Sequence, residues 1–506
     1  MKRNPLDLMP LRGVRLRLLG ALYGLCGLCA ASVLGLAGCS IGPDYVRPSV
    51  TVPAAYKENG GTQGSGGALA TTTPAPQATP GWTPATPADT EARGAWWTRF
   101  NDPQLNTLEA SVSVSNQTIQ KAVAELQEAR AMVESAHAAY MPTVGVETAG
   151  SRQRVSKYVF GRQGTAGKSY DDYAVALDAS WEPDLWGRIA HENDAARANE
   201  QASAADLESV RLGMHAELAV DYFNLRGLDA SKQLLDQTTA DYRQTLALTQ
   251  SRFAVGVSSQ ADVTEAQTQL QATEAQDIDL GVARAQYEHA IATLTGVPAS
   301  TFTLAPATAD FSPPAIPVGL PSELLQRRPD IAAAERRVAA ANDQIGIAQS
   351  AFYPDLVLSA TGGMESSTLT NWLSAPARMW SIGPSLVGTL FDGGRRSAMT
   401  KKARAQYDAS AADYRQTVLT AFQEVEDNLA SLRILQQESS TQDEAVVSAK
   451  KTLQLELDQY RIGTVDYLEV VTAQSTALAN ERTAVDLERR QMDASVLLVK
   501  ALGGIW

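Results

Sequence analysis

The sequence predicts a mostly α-helical fold with a membrane β-barrel, built from two structural repeats per chain. Three observations predict it. One stretch occurs twice at a constant offset of 207 residues. Two uninterrupted helical patterns are far too long for an ordinary globular core. Four short segments switch to a period of two, with one apolar and one polar face.

The repeat is clearest around a turn. Phe253-Ala254-Val255-Gly256-Val257, ending in Glu265-Ala266-Gln267, aligns with Tyr460-Arg461-Ile462-Gly463-Thr464-Val465, ending in Thr472-Ala473-Gln474. Aromatic matches aromatic, glycine matches glycine, and Asp262 matches Glu469. Glycine sits where a helix end needs a left-handed residue. Ser258 or Ser259 in one copy, and Asp466 in the other, sit where the next helix needs an N-cap. The same offset relates Ala196-Arg197-Ala198 to Ala403-Arg404-Ala405, and Gly296 to Gly503. A register this long indicates duplication of a half-protein.

The first 38 residues read as a signal peptide. Arg12, Arg15 and Arg17 precede an apolar run from Leu18 to Ala37, which closes Leu36-Ala37-Gly38-Cys39. Twenty apolar residues could also span a bilayer uncleaved, but Gly38-Cys39 fits the bacterial lipobox. Cys39 would then be the first mature residue and the lipid carrier, and Ser40 favours outer-membrane sorting. Cleavage removes five basic residues and Asp7, taking the formal charge from −13 to −17. So acidic a chain is a poor nucleic-acid partner. Cys26 and Cys29 leave with the signal, so no internal disulfide is expected. The four histidines form no cluster with the cysteines, so no metal site is expected either.

Residues 39–95 read as a lipidated, low-complexity tether, glycine-rich from Asn59 to Gly67 and proline/threonine-rich from Thr73 to Pro87. The first repeat, 96–297, begins at Trp96-Trp97 and Asp102-Pro103, an N-cap followed by proline. A helical pattern from Leu105 to Tyr140, broken near Asn116, ends at Pro142. Val144 and Val146 start a strand. Tyr173, Val175, Leu177, Ala179 and Trp181 mark a second. Helices follow from Arg188 to Phe253 and from Ser259 to Leu294. A proline-rich connector, 298–329, leads to the second repeat, 330–506. There the order recurs: a helix from Asp330 to Ala351, a strand around Leu356 and Leu358, a strand from Ser381 to Phe391, then helices from Arg395 to about Arg461 and from Asp466 to Leu502.

Lengths carry the architecture. At about 1.5 Å per residue, Arg188 to Phe253 gives about 99 Å of helix, which suits a long bundle or a cylinder wall. Four strands cannot close a barrel, since known ones start at about eight, and an open edge cannot face lipid. Three copies would supply twelve.

Several motifs resemble catalytic or ligand signatures only superficially. Asp330 in Arg327-Arg328-Pro329-Asp330 reads as a helix cap with local ion pairs. Phe391-Asp392-Gly393-Gly394-Arg395 lacks the lysine and spacing of a phosphate loop. His191-Glu192 has no second histidine four residues on. Trp372, Trp380, Tyr158, Tyr170 and Tyr173 fall near strand ends, where a barrel carries aromatic girdles. No nucleophile–base pair stands out, so no enzyme is expected.

The mature chain resembles the outer-membrane factors, the TolC-like exit ducts of bacterial efflux and secretion, and most closely their lipoprotein branch of the OprM/NodT type. The residues that carry the resemblance are Cys39 with Pro43-Asp44-Tyr45-Val46-Arg47-Pro48, Ser180-Trp181-Glu182-Pro183-Asp184-Leu185-Trp186-Gly187-Arg188, Pro321-Ser322-Glu323-Leu324-Leu325-Gln326-Arg327-Arg328-Pro329-Asp330 and Lys500-Ala501-Leu502-Gly503-Gly504. The resemblance implies a homotrimer whose twelve-stranded outer-membrane barrel continues into a long periplasmic α-helical barrel. It implies passive export in a tripartite, RND-type efflux pump, with a periplasmic adaptor and an inner-membrane transporter as partners. The exit duct of a type I secretion system is the alternative. By the same resemblance, Val255, Gly256, Val257, Gly463, Thr464 and Val465 dock the adaptor, and Asp466, Leu468 and Glu469 form the periplasmic gate, with Arg461 a candidate charge partner. Thr472 and Ser475 stand deeper in that helix, where members often carry charges. No cofactor is implied beyond the N-acyl diglyceride on Cys39.

Overall fold

A computed structural model describes residues 41–58, 93–158, 167–307, 311–317 and 321–504. The signal peptide, Cys39 and most of the low-complexity tract lie outside the described residues. The main elements are α1 (Pro103–Ser115), α2 (Gln117–Ala138), β1 (Thr143–Arg154), β2 (Ser169–Trp181), α3 (Arg188–Ala254), α4 (Gln260–Leu294), α5 (Pro329–Ser350), β3 (Asp355–Ser366), β4 (Arg378–Val387), α6 (Arg395–Ile462) and α7 (Tyr467–Ala501). The duplication is structural: α3 and α6 start 207 residues apart, and so do α4 and α7. Gly256 and Gly463 both have φ near +80° (79° and 82°), the left-handed region where a Cβ is strained.

The chain divides into two compact units. The first holds the strands, in one antiparallel sheet of order β1-β2-β3-β4. Pairing runs Val146↔Leu177↔Gly362↔Trp380 and Val144↔Ala179↔Ala360↔Ile382. Residues directly opposite share a face, so these two rows make one continuous apolar band. The large members of that band, Val144, Val146, Leu177, Trp380 and Ile382, are exposed in the single chain. The other face carries Glu147, Asp178, Thr361 and Ser381. Among the described residues, no helix is long and apolar enough to cross a membrane.

Three sequence expectations need correction here. β4 spans Arg378–Val387, not Ser381 to Phe391. Its partner β3 begins at Asp355, which pairs with Val387. Nothing remains to pair with Leu390 and Phe391, whereas Met364 at the other end holds Arg378. Trp380 and Tyr173 lie on the apolar face, but Tyr170 has the opposite parity and joins the polar one. The tether is not all free: Ile41 donates to the Trp186 carbonyl at 3.1 Å, and the Pro43 carbonyl accepts from Asn342 at 2.8 Å.

The second unit holds the helical body. Asp102 caps α1 through Gln104 and Leu105. Asn116 makes the expected break: its Oδ1 accepts from Thr118 and Ile119, and its Nδ2 donates to the Leu294 carbonyl at 2.8 Å. The core runs through Leu105, Val112, Leu218, Tyr222, Leu225, Ile291 and Val496. Fully buried Arg226 ion-pairs with Asp229 at 2.7 Å and donates to the Ala305 carbonyl, pinning the connector. Asp330 is not an N-cap. The helix starts one residue earlier, at Pro329, and Asp330 receives Arg328 at 2.6 Å while that arginine also reaches Glu424. Arg327 pairs locally with Glu323. The segment 47–58 is docked here as well, with Arg47 on Glu335 and Glu58 on Arg433.

Candidate functional site at the paired tip turns

The two repeated turns meet at one end of the helical body. In the first, α3 closes with Gly256 N donating to Phe253 O at 2.9 Å and Val257 N to Arg252 O at 2.8 Å. In the second, Gly463 N donates to Tyr460 O and Thr464 N to Gln459 O, both at 3.0 Å. Each pair satisfies carbonyls that a helix end leaves open. Ser259, rather than Ser258, caps α4 in a reciprocal box with Asp262, at 2.8 and 3.1 Å. Asp466 stands at the N-cap position of α7, but its side chain makes no capping hydrogen bond. Its carbonyl accepts from Glu469 N at 3.3 Å instead.

Under the turns lies a small core of Ala266, Tyr460, Tyr467 and Val470, with Leu248, Leu457 and Val465 packed on it. The rings of Tyr460 and Tyr467 are 5.5 Å apart. Burial pushes the Tyr467 phenol well above its ordinary range. Ser258 Oγ lies 3.1 Å from Tyr460 Oη, which donates to Thr249 Oγ1 at 3.2 Å. Arg252 spans the gap between the repeats. Its guanidinium sits over the Tyr460 ring and donates to the Arg461 carbonyl at 3.1 Å.

The structure thus brings Val255, Gly256 and Val257 beside Gly463, Thr464 and Val465. Val255 and Val257 are exposed apolar side chains, while Val465 is half-buried against the tyrosine core. Asp466, Leu468 and Glu469 form an exposed patch at the start of α7, with Leu468 59% exposed. Arg461 does not serve Asp466 or Glu469 within the chain: it pairs with Asp458 at 2.9 Å. Thr472 Oγ1 donates back to the Leu468 carbonyl at 2.9 Å, and Ser475 Oγ accepts from Gln269 at 3.2 Å. Sequence reasoning missed Arg252. Its counterpart in the second repeat is Gln459, and that departure from the repeat was the available signal.

The family model for the outer membrane efflux protein matches residues 110–297 and 320–504, both repeats. The chain belongs to the outer membrane efflux protein family. It is an outer-membrane efflux channel, a transport protein rather than a catalyst by family. Similar proteins include the cation efflux system protein CusC of Escherichia coli K12, 29% identical over 93% of this chain and 97% of CusC. The toluene efflux pump outer membrane protein TtgC of Pseudomonas putida is 30% identical over 94% of this chain and 95% of TtgC. Among solved structures, the outer-membrane channel OprN superposes with a TM-score of 0.81 at 28% identity, covering 92% of this chain and all of that one. The open-state MtrE channel of Neisseria gonorrhoeae gives 0.76 at 25% identity, covering 92% and 98%.

Proposed function

We propose that this outer-membrane efflux channel works as a lipidated homotrimer, the passive exit duct of a tripartite, RND-type pump. A periplasmic adaptor docks on the tip turns, and an inner-membrane transporter supplies the energy. One observation supports the assembly above all others. The four-stranded sheet exposes an apolar band while its edges, β1 and β4, have no strand partner among the described residues. Lipid cannot satisfy an open edge, so a twelve-stranded barrel from three copies is the closed solution.

In this reading Val255, Gly256, Val257, Gly463, Thr464 and Val465 present the adaptor surface. The exposed valines supply apolar contact, and the two glycines keep the turns small. Asp466, Leu468 and Glu469 make the gate. On a three-fold axis, Leu468 would form a ring that resists wetting, and the two acids a field that attracts cations. Cys39 carries the acyl anchor. The cargo is a small molecule, in keeping with relatives named for toluene and cation efflux.

Detergent-extracted protein should have the mass of a trimer and show both α and β circular-dichroism signals. A stable monomer with almost no β content would sink the proposal.

A further inference from the structure

A cavity of about 530 Å³ lies between α3 and the pair α6 and α7, just below the tyrosine core of the tip. Its apolar wall is Leu248 of α3, Leu453 and Leu457 of α6 and Leu478 of α7. Leu248 and Leu457 also pack on the tyrosine core. The cavity has a local cause. Where α6 offers Leu453 and Leu457, α3 offers Thr238 and Thr245. Each threonine turns its hydroxyl back on its own helix. Thr238 Oγ1 donates to the Leu234 carbonyl at 2.9 Å, and Thr245 Oγ1 to the Asp241 carbonyl at 3.0 Å. Side chains this short leave unfilled a space that close packing would otherwise occupy.

Gln474 makes the void a polar site. It lines the cavity and is only 2% exposed. Thr245 has committed its proton to the Asp241 carbonyl, so toward Gln474 it can only accept. Gln474 Nε2 therefore donates to Thr245 Oγ1, at 3.4 Å, and this fixes which way the amide points. Its Oε1 is left buried with no hydrogen-bond partner among the described residues. A buried acceptor without a donor is costly. The charges along the cavity select the sign of what would satisfy it. Arg461 is paired with Asp458 at 2.9 Å, and Glu481 with Lys450 at 2.5 Å. Asp241 has no ion pair among the described residues, and its carboxylate accepts from Gln237 Nε2 at 3.2 Å.

We propose that this cavity binds a small amphiphilic cation with an apolar body and an N–H donor. The body lies on the four leucines, the N–H donates to Gln474 Oε1, and the positive charge sits toward Asp241. The volume falls within the roughly 300–1,000 Å³ of drug-sized sites. An occupant that touches α3 on one side and α6 and α7 on the other fastens the two repeats together beneath the paired turns. One chain builds the whole site, so it stands independently of the trimeric reading.

The test is photolabelling of the full-length protein in detergent with trifluoromethyl-diazirinyl benzylamine, an arylmethylammonium ion at neutral pH, with the labelled residues mapped by mass spectrometry. Label should concentrate on residues 238–248 and 453–461. Biphenylmethylamine should compete for it, and biphenylcarboxylate should not. Gln474→Met, which keeps the volume and removes the acceptor, should weaken labelling about tenfold, the loss expected of one buried hydrogen bond. Gln474→Glu, which keeps an acceptor, should retain it. Thr245→Leu, which fills the cavity, should abolish it. Biphenylmethylamine should also slow hydrogen exchange at the Gly256 and Gly463 turns of the native protein but not of Gln474→Met. Label spread evenly over the helices, labelling undiminished in Gln474→Met and Thr245→Leu, or competition by the carboxylate as strong as by the amine would overturn the site. Should either variant fail to fold by circular dichroism, the other decides.

Discussion

The guanidinium carbon of Arg252 lies 4.6 Å from the centre of the Tyr460 ring, joining the tip of one repeat to the tip of the other. The contact is strengthened because Tyr460 is almost fully buried and its hydroxyl is held by Ser258 and Thr249. A cation over an aromatic face contributes about 0.5–1 kcal/mol when exposed and about 2 when desolvated. Loss of the hydrogen bond to the Arg461 carbonyl adds to that.

Arg252→Ala should therefore loosen the paired turns without unfolding the body. Hydrogen exchange at the Gly256 and Gly463 turns should accelerate by roughly 5–30-fold, the factor that one to two kcal/mol supplies. The core around Leu218 and Ile291 should be unaffected. Unchanged exchange at both turns would mean that the clasp holds nothing.

Asp221 gives a pH signature. Burial first, then Glu217 and Asp493, raises its carboxyl from the ordinary 3.8 to about 6. A raised folded value means that the folded state binds the proton more tightly than the unfolded state. The stabilising contribution is full below 3.8 and is lost as pH climbs through 6. Asp221→Asn should thus raise the unfolding temperature at pH 7.5, by an amount equivalent to about 1 kcal/mol after discounting for solvent screening. The gain should vanish near pH 3.5. Equal gains at both pH values would assign the effect to something other than titration.

Anchoring and barrel can be separated. Cys39→Ser behind a non-lipoprotein signal should still yield membrane-bound trimers, because the sheet rather than the acyl chain spans the bilayer in this account. Soluble monomers in the periplasm would contradict it.

The acids of the tip give a selectivity test. Asp466→Asn with Glu469→Gln should lower cation preference in reversal-potential measurements, and the difference should shrink at high salt. Thr472→Ala should change neither selectivity nor conductance much, since its hydroxyl is spent on the Leu468 carbonyl.

Much of the fold was legible because the duplication constrains it twice. Glycines at 256 and 463 announce both turns, and Asn116 breaks its helix by a local device that sequence reveals. The misjudged bounds of β4 have a non-local cause: only the register against β3 says where pairing stops. The positions of the tip turns were legible, but the Arg252–Tyr460 clasp was not, because it joins residues 208 apart in sequence. Asp466 occupies the N-cap position that the sequence indicates. The residue type and position are right, yet the side chain leaves the helix amides alone.

Closure of the channel at Leu468 is tested most directly by the planar-bilayer conductance of purified trimers. The native protein should give small, cation-preferring openings, and Leu468→Ser should raise the conductance several-fold, with matching vancomycin sensitivity in cells. Trimers that never conduct would contradict the channel, and Leu468→Ser trimers that conduct like the native protein while Thr472 variants open would place the gate deeper in α7.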